Sequence, residues 1–80
     1  MQREEIIDKV NEFLIDEFEI DEGALKPDAH LINDLGIESL DFVDIVVTIE
    51  KEIGFKVKRE EITEVRTLED LYTYIEKRVR

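Results

Sequence analysis

Between Glu4 and about Phe18 the apolar residues are Ile6, Ile7, Val10, Phe13, Leu14, Ile15 and Phe18. Steps of three and four dominate, the spacing that gathers side chains on one face of an α-helix, so this stretch predicts an amphipathic first helix. From Glu19 to Gly36 the period fades. Asp21-Glu22-Gly23, Pro27-Asp28 and Gly36 punctuate a long connection, and its Leu25, Leu31, Ile32 and Leu35 are expected to pin it onto the core. Ordered loops of that length are uncommon in a small domain and are often functional. A second helix is predicted from about Ser39 to Ile53, stopped by Gly54. Lys56 to Glu64 is ambiguous, with room for one short helical turn around Glu60-Glu61-Ile62. Thr67 reads as an N-cap, with Asp70 three residues on as the acidic partner of a capping box. Leu68, Leu71, Tyr72 and Ile75 then form the core face of a last helix, whose negative C-terminal end suits Lys77, Arg78 and Arg80. No β alternation competes, and there is no repeat, low-complexity tract or linker. The pattern predicts an all-α fold: a small four-helix bundle, three long helices plus one short, with a long first loop and a single domain over residues 1–80.

The second helix carries more apolar surface than one core contact uses. At about 100° per residue, Phe42, Ile45, Val46, Ile49 and Ile53 share one broad face, the expected core contact. Leu40, Val43 and Val47 form a different stripe, with Asp41, Asp44 and Glu50 on it or close beside it. Two readings fit. Leu40 and Val43 could pack beneath the long loop as further core. Alternatively the stripe is a partner surface, apolar contacts ringed by carboxylates that steer and select.

Charge narrows the choice of partner. The chain has 22 Asp and Glu against 11 Lys and Arg, a net charge of −11. Nucleic acid and anionic membrane surfaces would repel it, and a basic protein patch is the natural complement. Self-repulsion favours a monomer. Met1-Gln2-Arg3-Glu4-Glu5 has no apolar signal core, and no apolar run is long enough to cross a bilayer, so membrane insertion is not expected and the cytoplasm is the expected location. There is no cysteine and one histidine, so disulfides and an ordinary structural zinc site are excluded.

Catalytic constellations are absent as well. His30 stands alone in the loop, no Gly-x-Ser-x-Gly surrounds a serine, and Asp16 to Glu22 lacks the ligand order of a calcium-binding loop. An enzyme is not expected. What remains is Asp34-Leu35-Gly36-Ile37-Glu38-Ser39-Leu40-Asp41, in which a glycine turn delivers the chain's only serine to a helix start. Serine is also a favoured N-cap, so the hydroxyl by itself has a structural explanation.

The segment resembles the phosphopantetheine attachment site of acyl carrier proteins, Asp-Leu-Gly, two residues, then Ser-Leu-Asp. The likeness extends over nearly the whole chain, through Leu31-Ile32, Val43, Ile45, Val46, Ile49-Glu50 and Ile53, Glu60-Glu61, Thr67 and Tyr74-Ile75. It implies that a phosphopantetheinyl transferase moves the 4′-phosphopantetheine of coenzyme A onto Ser39, flanked by Asp34, Gly36, Glu38, Leu40 and Asp41, and that an acyl group then travels as a thioester on the arm. The recipients it implies are fatty-acid, lipid or polyketide-type biosynthetic enzymes with basic docking patches, meeting Leu40, Asp41, Val43, Asp44, Val47 and Glu50. Phe42, Ile45, Val46, Ile49, Ile62 and Leu71 would line the space for the acyl chain, or serve as ordinary core. Three features depart from the family pattern: Glu38 in place of aspartate, Phe42 in place of a small or polar residue, and positive charge at Lys56, Lys58 and Arg59. They suggest a specialised carrier with its own partners. Two alternatives stand beside it: a carrier of aminoacyl, aryl or D-alanyl units, and an unmodified interaction module in which Ser39 only caps its helix.

Overall fold

A computed structural model describes residues 2–79, with the side chains of Ser39 and Arg59 outside the described set. Met1 and Arg80, the latter expected near the end of the last helix, also lie outside the described residues. Four helices are described: α1 (Arg3–Phe18), α2 (Ser39–Glu52), α3 (Arg59–Ile62) and α4 (Leu68–Arg78). This is the predicted bundle of three long helices and one short one, with the long connection between α1 and α2. No helix among the described residues is long and apolar enough to cross a membrane.

α1 packs against both α4 and α2. Its contribution is the expected face, with Ile6, Val10, Phe13 and Leu14 buried. α4 supplies Leu68, Leu71, Tyr72 and Ile75, all four buried. From α2 come Ile45 and Ile49, with Phe42, Val46 and Ile53 packed at the margin of the core. The helix ends are set by local chemistry. α1 stops where Glu19 turns left-handed at φ 54°, and Ile20 N–H then reaches back to the Leu14 carbonyl at 3.2 Å. Gly54 ends α2 at φ 91°, a region costly for residues with a Cβ. α4 opens with the predicted capping box: Asp70 N–H donates to Thr67 Oγ1 (3.2 Å) and Thr67 N–H to Asp70 Oδ2 (3.3 Å).

The long loop is pinned, though not by all the residues its sequence suggests. Ile20, Ala29, Leu31 and Ile37 are buried, whereas Ile32 is 49% exposed. The chain from 31 to 35 is a tight turn, and Leu31 at its start and Ile37 just beyond its end take the inward positions. Backbone hydrogen bonds then tie the loop to the start of α4: Leu31 N–H to Arg66 O (2.8 Å), Leu68 N–H to Ala29 O (3.0 Å) and Glu69 N–H to Pro27 O (2.9 Å). α3 is held to α4 through Glu61, which accepts from Tyr74 Oη at 3.1 Å and pairs with Arg78 at 3.7 Å.

One polar contact inside the α1–α4 interface makes a pH prediction. Tyr72 Oη donates to Asn11 Oδ1. Burial pushes the Tyr72 phenol above its ordinary value of 10.0, against the opposing pull of Asn11 and Arg3. A raised acid is one that folding holds protonated, so its contribution is complete below the unfolded value and is lost as pH rises through the folded one. The melting temperature should therefore fall as pH climbs above about 10, and Tyr72→Phe should make that fall shallower. An identical alkaline profile in the variant, followed by circular dichroism, would count against the assignment.

Candidate functional site

The segment before α2 is built by side chains folding back onto their own backbone. His30 N–H donates to Asp34 Oδ2 at 2.7 Å. The His30 ring closes the same turn, its Nδ1 accepting from Ile32 N–H and Asn33 N–H, each at 3.2 Å. The His30 carbonyl takes Asp34 N–H (2.9 Å) and Leu35 N–H (3.1 Å). Gly36 follows at φ 71°, and an added Cβ would meet nothing within 4 Å, so glycine is needed there for its backbone rather than for space. Buried Ile37 anchors the turn to the core, and the next residues emerge at the surface with Glu38 and Leu40 exposed.

Ser39 is the first residue of α2, and the N-cap is Glu38. The capping reading of Ser39 is thereby corrected. Glu38 N–H is taken by Asp41 Oδ2 at 3.0 Å, so the carboxylate at the third helical position satisfies the N–H of the N-cap residue, the acidic half of a capping box. Asp34 and Asp41, which bracket the motif, both spend an oxygen on holding its backbone.

Further along α2, Leu40 is 79% exposed, Val43 45% and Val47 57%. None of them lies under the loop, so the reading of this stripe as further core is overturned. Asp44 is exposed beside them and Asp41 is half-buried. Glu50 is engaged differently: half-buried, it accepts Val57 N–H at 3.2 Å and so secures the segment after α2. The buried polar residue of the helix, missed by the periodicity, is Thr48, whose Oγ1 lies 2.7 Å from Asp44 O and 3.1 Å from Glu17 Oε2. A threonine among valines and isoleucines gives no sequence signal for such a role.

A cavity of about 480 Å³ opens between the loop, α2 and the α3 region, with Leu31, Ile32, Phe42, Ile62 and Val65 as its apolar wall. His30, Thr63 and Arg66 complete the lining. Of the six residues expected around such a space, Phe42 and Ile62 line it. Ile45, Ile49 and Leu71 are buried in the main core, and Val46 packs at its margin. The other lining residues come from irregular segments, where no helical period could point to them. Phe42 follows Ser39 by three residues, which puts the two positions on one side of the helix. No group of three or more His, Cys, Asp or Glu among the described residues is arranged to hold a metal ion.

Residues 8–75 match a family model described as the phosphopantetheine attachment site. The chain is 40% identical over 77 residues to the acyl carrier protein of Thermotoga maritima, covering 96% of this chain and 95% of that protein. It is 30% identical over 73 residues to the acyl carrier protein of Solidesulfovibrio magneticus, covering 91% and 94%. It is also 49% identical over 57 residues to the acyl carrier protein AcpXL of Rhizobium meliloti, covering 71% of this chain and 60% of that longer relative.

Proposed function

Because the chain belongs to the acyl carrier protein family, whose members bear acyl groups on covalent 4′-phosphopantetheine, we propose that Ser39 is the residue to which the arm is joined. The observation that carries this reading is the setting of the sole serine: it opens α2 at the end of a pinned turn, between exposed neighbours. When bound, the arm supplies the thiol for thioester linkage, which a chain without cysteine cannot provide itself.

The remaining work falls to this chain's own residues. The first turn of α2 offers backbone N–H groups and the positive end of the helix dipole, a setting that favours an anionic phosphodiester. Asp34, His30 and Gly36 hold the approach to that turn. Asp41 keeps its carboxylate on Glu38 N–H. Activation of the serine hydroxyl falls to a phosphopantetheinyl transferase.

Leu40, Asp41, Val43, Asp44 and Val47 form the face for biosynthetic enzymes of fatty-acid, lipid or polyketide type, with Glu50 at its edge and serving mainly to hold Val57. Their basic patches would be drawn by the carboxylates and gripped by the apolar stripe. The cavity beside Phe42 encloses the acyl chain. Residues 1–80 act as one cytoplasmic, monomeric domain with no catalytic step of its own.

The test is intact mass before and after incubation with a permissive transferase, coenzyme A and magnesium. A gain of one phosphopantetheine, mapped by proteolysis to the fragment containing Ser39, is expected. No gain with two different transferases would favour the unmodified interaction module.

A further inference from the structure

The cavity beside α2 differs in charge from the rest of the molecule. The chain carries 22 acidic residues, and the other grooves described on its surface all include them: Asp41 and Asp44 in one, Asp16 and Glu52 in another, Glu64 and Asp70 in a third. The cavity lining has none, and Arg66 and His30 stand in it instead.

The two are neighbours by construction. Residues 30 and 67 face one another in an isolated antiparallel bridge, and Leu31 N–H is bonded to the Arg66 carbonyl at 2.8 Å. Arg66 contributes its backbone to that bridge, and among the described ion pairs its guanidinium has no part: those belong to Arg3 and Arg78. Its nearby acid, Asp70, turns Oδ2 to the N–H groups of Arg66 and Thr67, each at 3.3 Å. The His30 ring uses Nδ1 as an acceptor for two backbone N–H groups. In the neutral tautomer this assigns, the proton is on Nε2, which is left as a donor. Thr63 has spent its hydroxyl proton on Glu60 O at 2.9 Å. The lining thus includes one residue of positive charge, Arg66, and no acid, beside an aliphatic and aromatic remainder.

We propose that this cavity selects acyl chains that end in a carboxylate, the methylenes lying against Leu31, Phe42, Ile62 and Val65 and the terminal carboxylate meeting the Arg66 guanidinium. This rests on the carrier reading above and specifies its cargo. A planar guanidinium matches a carboxylate through two parallel hydrogen bonds. Moving a carboxylate from water into an apolar recess without such a partner is strongly unfavourable. Arg66 is exposed, so the pair sits at the cavity rim, where the carboxylate keeps part of its hydration.

The experiment compares two chains of equal length on the same protein: octanoyl, and suberyl, which ends in a carboxylate. Each is loaded from its coenzyme A thioester. The melting temperature and the rate of thioester loss to hydroxylamine are then measured for the native sequence, Arg66→Gln and Arg66→Lys. Suberyl should be protected in the native protein. Arg66→Gln should speed suberyl loss about tenfold, the order of one charge-assisted hydrogen-bond pair, and lower the melting temperature of that form alone. Octanoyl should be unaffected, and Arg66→Lys should fall between, keeping the charge without the fork.

Equal effects of Arg66→Gln on both chains, or on neither, would overturn the proposal. So would a melting-temperature change already complete in the protein bearing the arm without a chain, since the guanidinium would then be meeting the phosphodiester. Failure of both chains to load onto Ser39 would instead overturn the carrier reading, and this proposal with it.

Discussion

Ser39→Ala should abolish loading outright while leaving the apo fold almost untouched. The chemical half is absolute: without the side-chain oxygen there is nothing to carry a phosphodiester. The structural half follows from the position of the residue. A serine that caps a helix costs about 0.5–2 kcal/mol when changed to alanine. Here the cap is Glu38, with its N–H held by Asp41, and Ser39 is the first helical residue, a place where alanine is well tolerated. The change in stability should stay within about 0.5 kcal/mol, the range of ordinary surface substitutions. Loss of the mass gain with an unchanged melting curve therefore separates a carrier from an interaction module. Persistence of the gain in the variant would move the attachment to one of the threonine hydroxyls and refute the assignment.

Ile49→Ala should have the largest effect on stability. Ile49 has no exposed surface and lies at the centre of the α2 contribution to the core. Removing a buried side chain of this kind costs about 2–5 kcal/mol, the lost transfer free energy plus the cavity left behind. A domain of this size sits near the low end of the usual range of about 5–15 kcal/mol, because a short chain buries a smaller fraction of its surface. The melting temperature should drop by roughly 10–30 °C, from that cost and the sensitivity of small domains. Val47→Ala, two residues away on the exposed stripe, is the internal control and should change it little. Comparable losses for both would mean that Val47 is buried in solution and that the stripe is not a free surface.

The contrast between those two positions was legible in the sequence, because both lie on a regular helix where period alone assigns faces. The same rule located the core faces of α1 and α4, and the Thr67–Asp70 spacing gave the cap of α4. It failed where the chain leaves the helix. Ile32 reads as an anchor by composition, yet the turn it belongs to directs Leu31 and Ile37 inward instead. Glu50 reads as one more surface carboxylate, and its bond to Val57 N–H depends on a chain path that no period encodes. The cavity was the least legible feature, since most of its lining comes from segments brought together only by tertiary structure. Phe42 and Ile62 are the exceptions: both read as lining in the sequence, Phe42 marked also by its departure from the family pattern, and both stand in the cavity wall.

The three backbone bonds that tie residues 27–31 to residues 66–69 have a thermodynamic consequence for the serine turn. The ends of these bonds at Ala29, Leu31 and Leu68 are buried, so releasing one segment leaves buried backbone groups of the other without their partners. The turn therefore does not open alone. It is expected to open as one cooperative unit with the first turn of α4, at a free energy approaching that of undocking the last helix. Amide exchange at Leu31, Leu68 and Glu69 should then report one shared opening event. A loop by its dihedral angles is, in its opening equilibrium, part of a helix more than thirty residues away.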